Sequence, residues 1–236
     1  MMRVLDLFSC VGCHAVGMER AGITPVALCE INPTRRAILA RHFSGIQIHD
    51  DVRTIRPPAA EVVFGGPPCQ ETSVASAVHG RRTGASLWPF MLAAAKHVQA
   101  EWVVVEQPPG NAGWETKVAD DLCGAGYHTA CAEFAASDVG APYPRRRVYI
   151  LACADLPRLE VAWRAIPRAI ERVARAAHAR GSWDPDQLGV LRVDARSAGE
   201  LDRARSAIRT ERIEALGDSN PPEMAEVIGR AIMEAV

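Results

Sequence analysis

The sequence has no apolar run that approaches the roughly 20 residues a helix needs to cross a bilayer, which argues against a membrane protein. The first residues enter a strand-like pattern after one arginine, so we expect no signal peptide. Seven cysteines, an odd number with irregular spacing, favour reduced thiols and a cytoplasmic location. The formal net charge is only −1, so any affinity for nucleic acid must come from local basic patches. Any such patch must consist mainly of arginine, because Lys96 and Lys117 are the only lysines.

Short apolar strands alternate with helices over the first two-thirds of the chain. The strands are predicted at 4–8, 26–29, 46–48, 61–64, 102–106, 127–133 and 148–153. The helices between them are predicted at 14–20, 33–42, 86–99 and 115–123. Buried strands joined by helical crossovers are typical of an α/β fold, with a mainly parallel sheet covered by helices on both faces. In such folds, ligands bind beyond the carboxyl ends of the strands.

The alternation stops after residue 153. Residues 158–212 contain twelve arginines and eight acidic residues, a net charge of +4, and an amphipathic helix with a cationic face is predicted at 167–177. A last helix begins at Pro221 or Pro222, and its apolar stripe should pack on the main sheet. We therefore divide the chain into a main domain (1–153), a small arginine-rich region (154–212) and a returning C-terminal helix (213–236).

Acidic residues lie on or directly after three predicted strands. The first strand contains Asp6 and leads into a turn with Gly12 and a helix, where backbone N–H groups point outward to a ligand. Glu30 ends the second strand, where it suits ribose hydroxyl groups, and Asp51 follows the third, where it suits an adenine amino group. These residues predict a nucleoside site. A structural role as a helix cap or a surface charge stays open for Glu30 and Asp51.

Cys69 follows two glycines and two prolines at the end of a predicted strand. This stiff backbone would present the thiol to a cleft, as a nucleophile requires, and a buried inert cysteine is the alternative. Glu106 ends the next strand, where a carboxyl group behind a buried apolar run can keep its proton near neutral pH and act as an acid.

Three arginines stand at the start of the strand 148–153. Strand alternation sends Arg145 and Arg147 to one face and Arg146 to the other. Paired guanidinium groups suit recognition of a phosphate or a carbonyl group, and a basic strand entrance without a ligand is the alternative.

The order of these motifs resembles the C5-cytosine DNA methyltransferases, which use S-adenosylmethionine. DLFSCVGC (6–13) is similar to their first motif, DLFSGxGG, and CEIN (29–32) and DDV (50–52) are similar to the acidic second and third motifs. GGPPCQETS (65–73) resembles the nucleophile loop GGPPCQxxS. VEQP (105–108) stands where the family has ENV, and PYPRRRVYI (142–150) where it has PQxRxRVFI. GDSNPP (217–222) resembles the last motif, GNSVPP.

The resemblance implies a Rossmann-like class I methyltransferase fold with a small target-recognition insertion. It also implies methyl transfer to C5 of a flipped-out cytosine in double-stranded DNA, through a covalent bond from Cys69 to C6. Glu106 would protonate N3, Arg147 would contact the base carbonyl, and Arg145 would contact the neighbouring backbone or the surroundings of Cys69. We expect no metal and a monomer.

The resemblance places further residues around the two ligands. Those expected at the cofactor are Asp6, Phe8, Ser9, Gly12, Glu30, Ile31, Asp51, Val52, Pro67, Leu87, Asp218 and Ser219. Those expected at the DNA are Gln70, Ser73, Arg81, Arg82, Arg164 and Arg168. The arginine-rich region is short for a target reader, so we expect a recognition site of about two to four base pairs, as in a small, phage-type enzyme.

The sequence departs from the family pattern at several positions. Cys10 and Cys13 replace glycines of the first motif, Gln107 and Tyr143 replace Asn and Gln, and Asp218 stands where Asn is usual. A zinc or redox site at Cys10 and Cys13 is disfavoured because there is no second pair at suitable spacing. The catalytic residues are retained, so we expect activity.

Three alternative functions remain open. The first is a tRNA cytosine methyltransferase of the same fold, although the GGPPCQ loop is more like the DNA branch. The second is a DNA-binding homologue with impaired catalysis. The third, suggested by Asp218, is an enzyme that uses an unusual analogue of S-adenosylmethionine as its donor.

Overall fold

The computed structural model describes residues 1–68, 86–182 and 220–236. In these stretches the strands are β1 Arg3–Leu7, β2 Thr24–Cys29, β3 Gln47–His49, β4 Val62–Gly65, β5 Trp102–Gln107, β6 His128–Ala135 and β7 Arg146–Cys153. The helices are α1 Cys13–Arg20, α2 Pro33–His42, α3 Trp88–Val98, α4 Ala112–Gly124, α5 Leu156–Ala179 and α6 Pro222–Met233, with a short 3₁₀ turn at Ala136–Val139.

The strands form a seven-stranded sheet in the order β3-β2-β1-β4-β5-β7-β6. Strands β1 to β5 pair in parallel, and β7 runs antiparallel to both β5 and β6. The predicted α/β fold is therefore confirmed, with the sheet mainly parallel and helices on both faces. This topology is the Rossmann-like fold of class I methyltransferases.

Helix α5 differs most from its prediction, because it begins at Leu156 rather than near residue 167. The Asp155 side chain caps it by accepting from the N–H of Arg158, and Pro157 occupies its first turn. Pro167, which marks the start of the predicted helix, lies inside the observed one. A proline costs a helix one hydrogen bond, and here a continuous buried stripe from Leu159 to Ala177 packs α5 in place.

The C-terminal helix α6 packs in the layer that α1 and α5 form over the sheet, as its apolar stripe predicts. The approach to α1 is close, since a Cβ added to Gly17 would lie 2.7 Å from the Cβ of Ala225. Helices α3 and α4 cover the opposite face. In the part of the chain that the structure describes, none of the helices has the length and apolar character needed to cross a membrane.

Two buried carboxylates fix α6 against its neighbours. Glu226 contacts Arg230 at 2.7 Å and Arg180 at 3.3 Å, and Glu223 contacts Arg20 at 2.8 Å. Three guanidinium groups from α1, α6 and the end of α5 thus surround two carboxylates, so that removing either carboxylate would leave positive charges unmatched.

Candidate active site

The loop after β1 has an unusual backbone. Phe8, Cys10 and Gly12 all have positive φ, at 59°, 50° and 90°. For the two residues other than glycine, a left-handed backbone stores about 1–3 kcal/mol each. At Gly12 the space is also filled, because an added Cβ would lie 2.9 Å from the Leu39 side chain and would clash with the ring of Phe43. The loop therefore folds tightly between the sheet and α2.

Ser9 and Glu30 hold this loop to the end of β2. The Ser9 hydroxyl donates to the carbonyl of Asp6 at 2.8 Å and accepts from the N–H of Cys29 at 3.2 Å. One oxygen of Glu30 accepts from the N–H of Cys10 and the other from the N–H of Asn32, both at 2.8 Å. Glu30 thus has a structural role, and each oxygen keeps room for one further hydrogen bond.

Asp51 makes more hydrogen bonds within the protein than its position in the sequence predicts. Its two oxygens accept from the guanidinium group of Arg53 at 2.6–3.0 Å, and one of them also accepts from the Arg53 N–H at 2.9 Å. The hydrogen bonds from the Arg53 side chain lower the pKa of Asp51. The neighbouring Val52 is buried, whereas the side chain of Ile31 is largely exposed beside Glu30.

Glu106 and Arg147 form a buried ion pair at the ends of β5 and β7. Their side chains lie 2.6 Å apart and are only 10% and 14% exposed. The two strands are paired, with Glu106 opposite Tyr149, so alternation brings Arg147 to the face that carries Glu106. Arg146 instead pairs with the exposed Glu133 of β6. Of the two adjacent arginines, Arg147 therefore lies in a buried ion pair and Arg146 in an exposed one.

The backbone that leads to Cys69 passes directly over Glu106. A Cβ at Gly66 would lie 2.7 Å from an oxygen of Glu106, so glycine lets the chain approach the carboxylate. The Gln107 side chain donates to the carbonyl of Pro67 at 2.6 Å and ties this segment to β5. The carboxylate thus lies next to the start of the predicted nucleophile loop.

Several predicted site residues lie outside the described residues. These are Cys69, Gln70, Ser73, Arg81, Arg82, Asp218 and Ser219. Of the described ones, Leu87 packs with the α3 side of the core. Arg164 and Arg168 lie on α5 and contact Glu160 at 3.4 Å and Glu234 at 3.1 Å. The division of the chain and the DNA contacts stay predictions.

Three residues that the sequence analysis did not assign to the site belong to its surroundings. Asn220 is buried and accepts from Arg145 at 2.7 Å, Gln107 holds Pro67, and His14 faces Asp6 at 3.5 Å. For Gln107, the departure from the family pattern is the feature of the sequence that could have indicated a role at the site. Asn220 lies in GDSNPP, the segment that resembles the last motif, but the motif does not indicate its partner Arg145, which is 75 positions away in the sequence.

Cys29, a buried thiol at the end of β2, is a poor candidate for a nucleophile. Burial, followed by the nearby Asp51 and Glu30, raises the pKa of Cys29 to about 12, so its thiol stays protonated. Among residues 1–68, 86–182 and 220–236, no three His, Cys, Asp or Glu side chains converge as metal ligands.

The sheet order, and a group of polar side chains at the carboxyl ends of its strands, are those of the class I methyltransferase fold. The sequence profile of the C-5 cytosine-specific DNA methylases matches residues 2–169, more than half of the chain. The chain therefore belongs to that family.

Curated relatives agree with this assignment. The chain is 33% identical to the type II methyltransferase M2.BsuMI of Bacillus subtilis over 165 residues, 64% of this chain and 42% of the relative. It is 28% identical to M1.HphI of Haemophilus parahaemolyticus over 171 residues, 64% of this chain and 45% of that protein. The chain thus spans less than half the length of these relatives.

Solved structures share the fold at low identity. A DNA modification methyltransferase encoded within an E. coli prophage superposes with a TM-score of 0.54 at 23% identity, over 65% of this chain and 47% of that one. Spodoptera frugiperda DNMT2 superposes with a TM-score of 0.55 at 18% identity, over 66% and 51%.

Proposed function

We propose that this protein transfers a methyl group from S-adenosylmethionine to C5 of a cytosine in DNA. The observation that carries the proposal is the buried Glu106–Arg147 pair, which lies beneath the backbone that leads to Cys69. A carboxyl group and a guanidinium group at one strand end match the polar edge of a cytosine, which presents N3, an amino group and a carbonyl.

The chemistry needs a nucleophile because C5 of cytosine reacts poorly on its own. The Cys69 thiolate would form a bond to C6 while Glu106 gives a proton to N3, which makes C5 nucleophilic. Arg147 would hold Glu106 in place and donate to the base carbonyl. Once C5 carries the methyl group, loss of its proton and elimination of Cys69 restore the aromatic ring. The target base must leave the helix stack for Cys69 to reach C6.

The residues at the ends of β1 and β2 fit the cofactor. S-Adenosylmethionine supplies an electrophilic methyl group when it is bound. Glu30 keeps free lone pairs for ribose hydroxyls, and the exposed Ile31 offers an apolar surface to a flat ring. Asp51 contributes less than its position predicts, because Arg53 takes most of its hydrogen-bonding capacity. We further propose double-stranded DNA as the substrate and a monomer as the active form.

Bisulfite-type sequencing of DNA treated with the purified chain tests the proposal. The wild-type chain should modify cytosine in duplex DNA, and Cys69→Ser should lose turnover while it still binds S-adenosylmethionine. Cys123→Ser, which changes an exposed thiol, is the matched control and should keep full activity. Methylation retained in Cys69→Ser would mean that the nucleophile is wrong.

A parallel assay with tRNA separates the alternatives. Transfer to tRNA alone would assign the chain to RNA modification. Binding of DNA without transfer, and without a trapped complex on DNA that contains 5-fluorocytosine, would identify an impaired homologue.

A further inference from the structure

The hydrogen-bonded ladder between β4 and β5 ends where the chain turns toward the predicted nucleophile. The last pair in the parallel register of these strands is Gly65 opposite Val105. Two further steps in the same register bring Pro67 beside Gln107. Proline has no backbone N–H, so neither Pro67 nor Pro68 can donate to β5. The backbone alone therefore holds this segment to the sheet less firmly than it holds the strand before it.

The Gln107 side chain replaces the missing backbone contact. Its Nε2 atom donates to the carbonyl of Pro67 at 2.6 Å, across 40 positions of sequence. Both residues are buried, and Gln107 is only 5% exposed. A buried carbonyl that loses its donor is left unpaired, which is unfavourable. The contact therefore favours one position of Pro67 relative to the end of β5.

Glu106 and Gln107 contact the same segment from opposite faces of β5, because consecutive side chains of a strand point to opposite faces. Gly66 passes so close to Glu106 that an added Cβ would lie 2.7 Å from a carboxylate oxygen. Residues 66–67 thus cross the end of β5 between a carboxylate on one side and an amide on the other. Since Pro67 is two residues before Cys69, its position sets the point from which the predicted nucleophile loop begins.

We propose that Gln107 is a positioning residue, which holds Pro67 on the end of β5 so that the Cys69 sulfur lies within bonding reach of C6 of the target cytosine. The inference rests on the proposed function, because it takes Cys69 as the nucleophile. When the sulfur adds to C6, the electron pair of the C5–C6 double bond shifts through the ring, and N3 takes the proton from Glu106.

The effect of Gln107 on this step is indirect. Bond formation is very sensitive to position, and a misplacement of about 1 Å can cost a factor of about 10² in rate. Gln107 contacts Pro67 and neither the base nor the cofactor in this arrangement. Its loss should therefore slow formation of the covalent bond and leave the affinity for S-adenosylmethionine unchanged.

Gln107→Met keeps the length of the side chain and loses the donor. On DNA that contains 5-fluorocytosine, the covalent complex should form about 10- to 100-fold more slowly than with wild type at saturating S-adenosylmethionine, and kcat should fall alike. Gln47→Met, the same substitution at an exposed glutamine of β3, is the matched control and should react at the wild-type rate. Equal rates in Gln107→Met and wild type would overturn the proposal. A loss of cofactor affinity in proportion to the rate would mean a general structural role and would contradict us.

Gln107→Glu separates the hydrogen bond from packing. A protonated carboxyl group can donate to the carbonyl of Pro67, whereas an ionised one can only accept and repels it. The rate deficit of this variant relative to wild type should be small at low pH and grow as the pH rises. The deficit of Gln107→Met should be the same at every pH. A deficit of Gln107→Glu that is independent of pH, or that grows as the pH falls, would contradict the proposed donor.

Proteolysis tests the hold on this segment without any methyl transfer. Loss of the anchor should favour local opening of the chain beyond Pro68. A protease of broad specificity should therefore cut within residues 69–85 severalfold faster in Gln107→Met than in Gln47→Met, with the cuts located by mass spectrometry. Equal rates of cutting would overturn the inference. If wild type itself neither forms the covalent complex nor transfers a methyl group, the proposed function fails, and proteolysis still decides whether Gln107 holds the segment.

Discussion

The two faces of the sheet treat buried polar groups in opposite ways. On the face covered by α3 and α4, the Tyr127 hydroxyl donates to the carbonyl of Ala100 and the Trp88 indole donates to Asp121, and Nε2 of His49, on the edge strand β3, is an exception without a hydrogen bond among the described residues. On the face covered by α1, α5 and α6, the Asp6 carboxylate, Nδ1 of His14 and the Tyr149 hydroxyl are buried without a hydrogen bond among the described residues.

This difference shows where the fold tolerates unfavourable burial. Buried polar groups are almost always hydrogen-bonded, so exceptions point to strain or to function. Here Asp6, His14 and Tyr149 lie on the face that carries Glu106, whereas Nε1 of Trp102, also without a hydrogen bond, lies at the opposite end of β5. The comparison therefore shows that unsatisfied polar groups collect mainly on the α1 face, where the proposed catalytic acid lies.

The largest effect is expected from neutralising the buried acid. Glu106→Gln should lower the rate of methyl transfer by about 10²- to 10⁴-fold, the usual contribution of general acid catalysis, while the chain remains folded. Glu133→Gln is the matched control, since it changes the exposed carboxylate of the neighbouring Arg146 pair and should leave the rate within a factor of two or so of wild type. Equal losses in both variants would show that burial of the pair is irrelevant.

The second largest effect is expected on the free energy of unfolding, from the buried carboxylate that holds α6 on the α1 face of the sheet. Glu226→Gln removes a fully buried carboxylate that contacts Arg180 and Arg230, and should lower the free energy of unfolding by about 3–5 kcal/mol. Denaturant unfolding measures the change. Glu234→Gln, in an exposed pair with Arg168, should cost less than about 1 kcal/mol. If the two variants are equally stable, the buried cluster does not anchor α6.

The periodicity of apolar residues predicts most of the strands and helices of this fold. It does not predict which side chains pair when they are far apart in the sequence. Strand periodicity places Asp6, Glu30 and Glu106 at strand ends because the rule depends only on neighbouring residues. The partners of Arg145 and Gln107 are 75 and 40 positions away, so periodicity has no information about them. Helix α5 was predicted too short for a related reason. Pro167 resembles a helix start locally, and only packing against the sheet and α6 shows that the helix continues through it.

A smaller, pH-dependent effect should separate wild type from His14→Phe. The pKa of His14 is raised in the folded chain, chiefly by Asp6 acting against burial. A raised folded-state pKa stabilises the fold fully below the unfolded value of about 6.5, and this contribution is lost as the pH rises through the folded value. The stability advantage of wild type over His14→Phe should therefore shrink as the pH rises above about 6.5 and through the raised folded-state pKa. An advantage that grows with pH would contradict the assigned ion pair with Asp6.

The smallest effect compares two tyrosines, one on each face. Tyr149→Phe removes a buried hydroxyl that makes no hydrogen bond among the described residues, so its cost should be near zero or slightly negative. Tyr127→Phe removes a hydroxyl that donates to the Ala100 carbonyl at 2.8 Å, and should cost about 1 kcal/mol because the carbonyl loses its partner. Unfolding free energies of the two variants measure the difference directly. If Tyr149→Phe is the more destabilising of the two, its hydroxyl has a hydrogen-bond partner in solution, such as an ordered water, and the contrast between the two faces does not hold at this position.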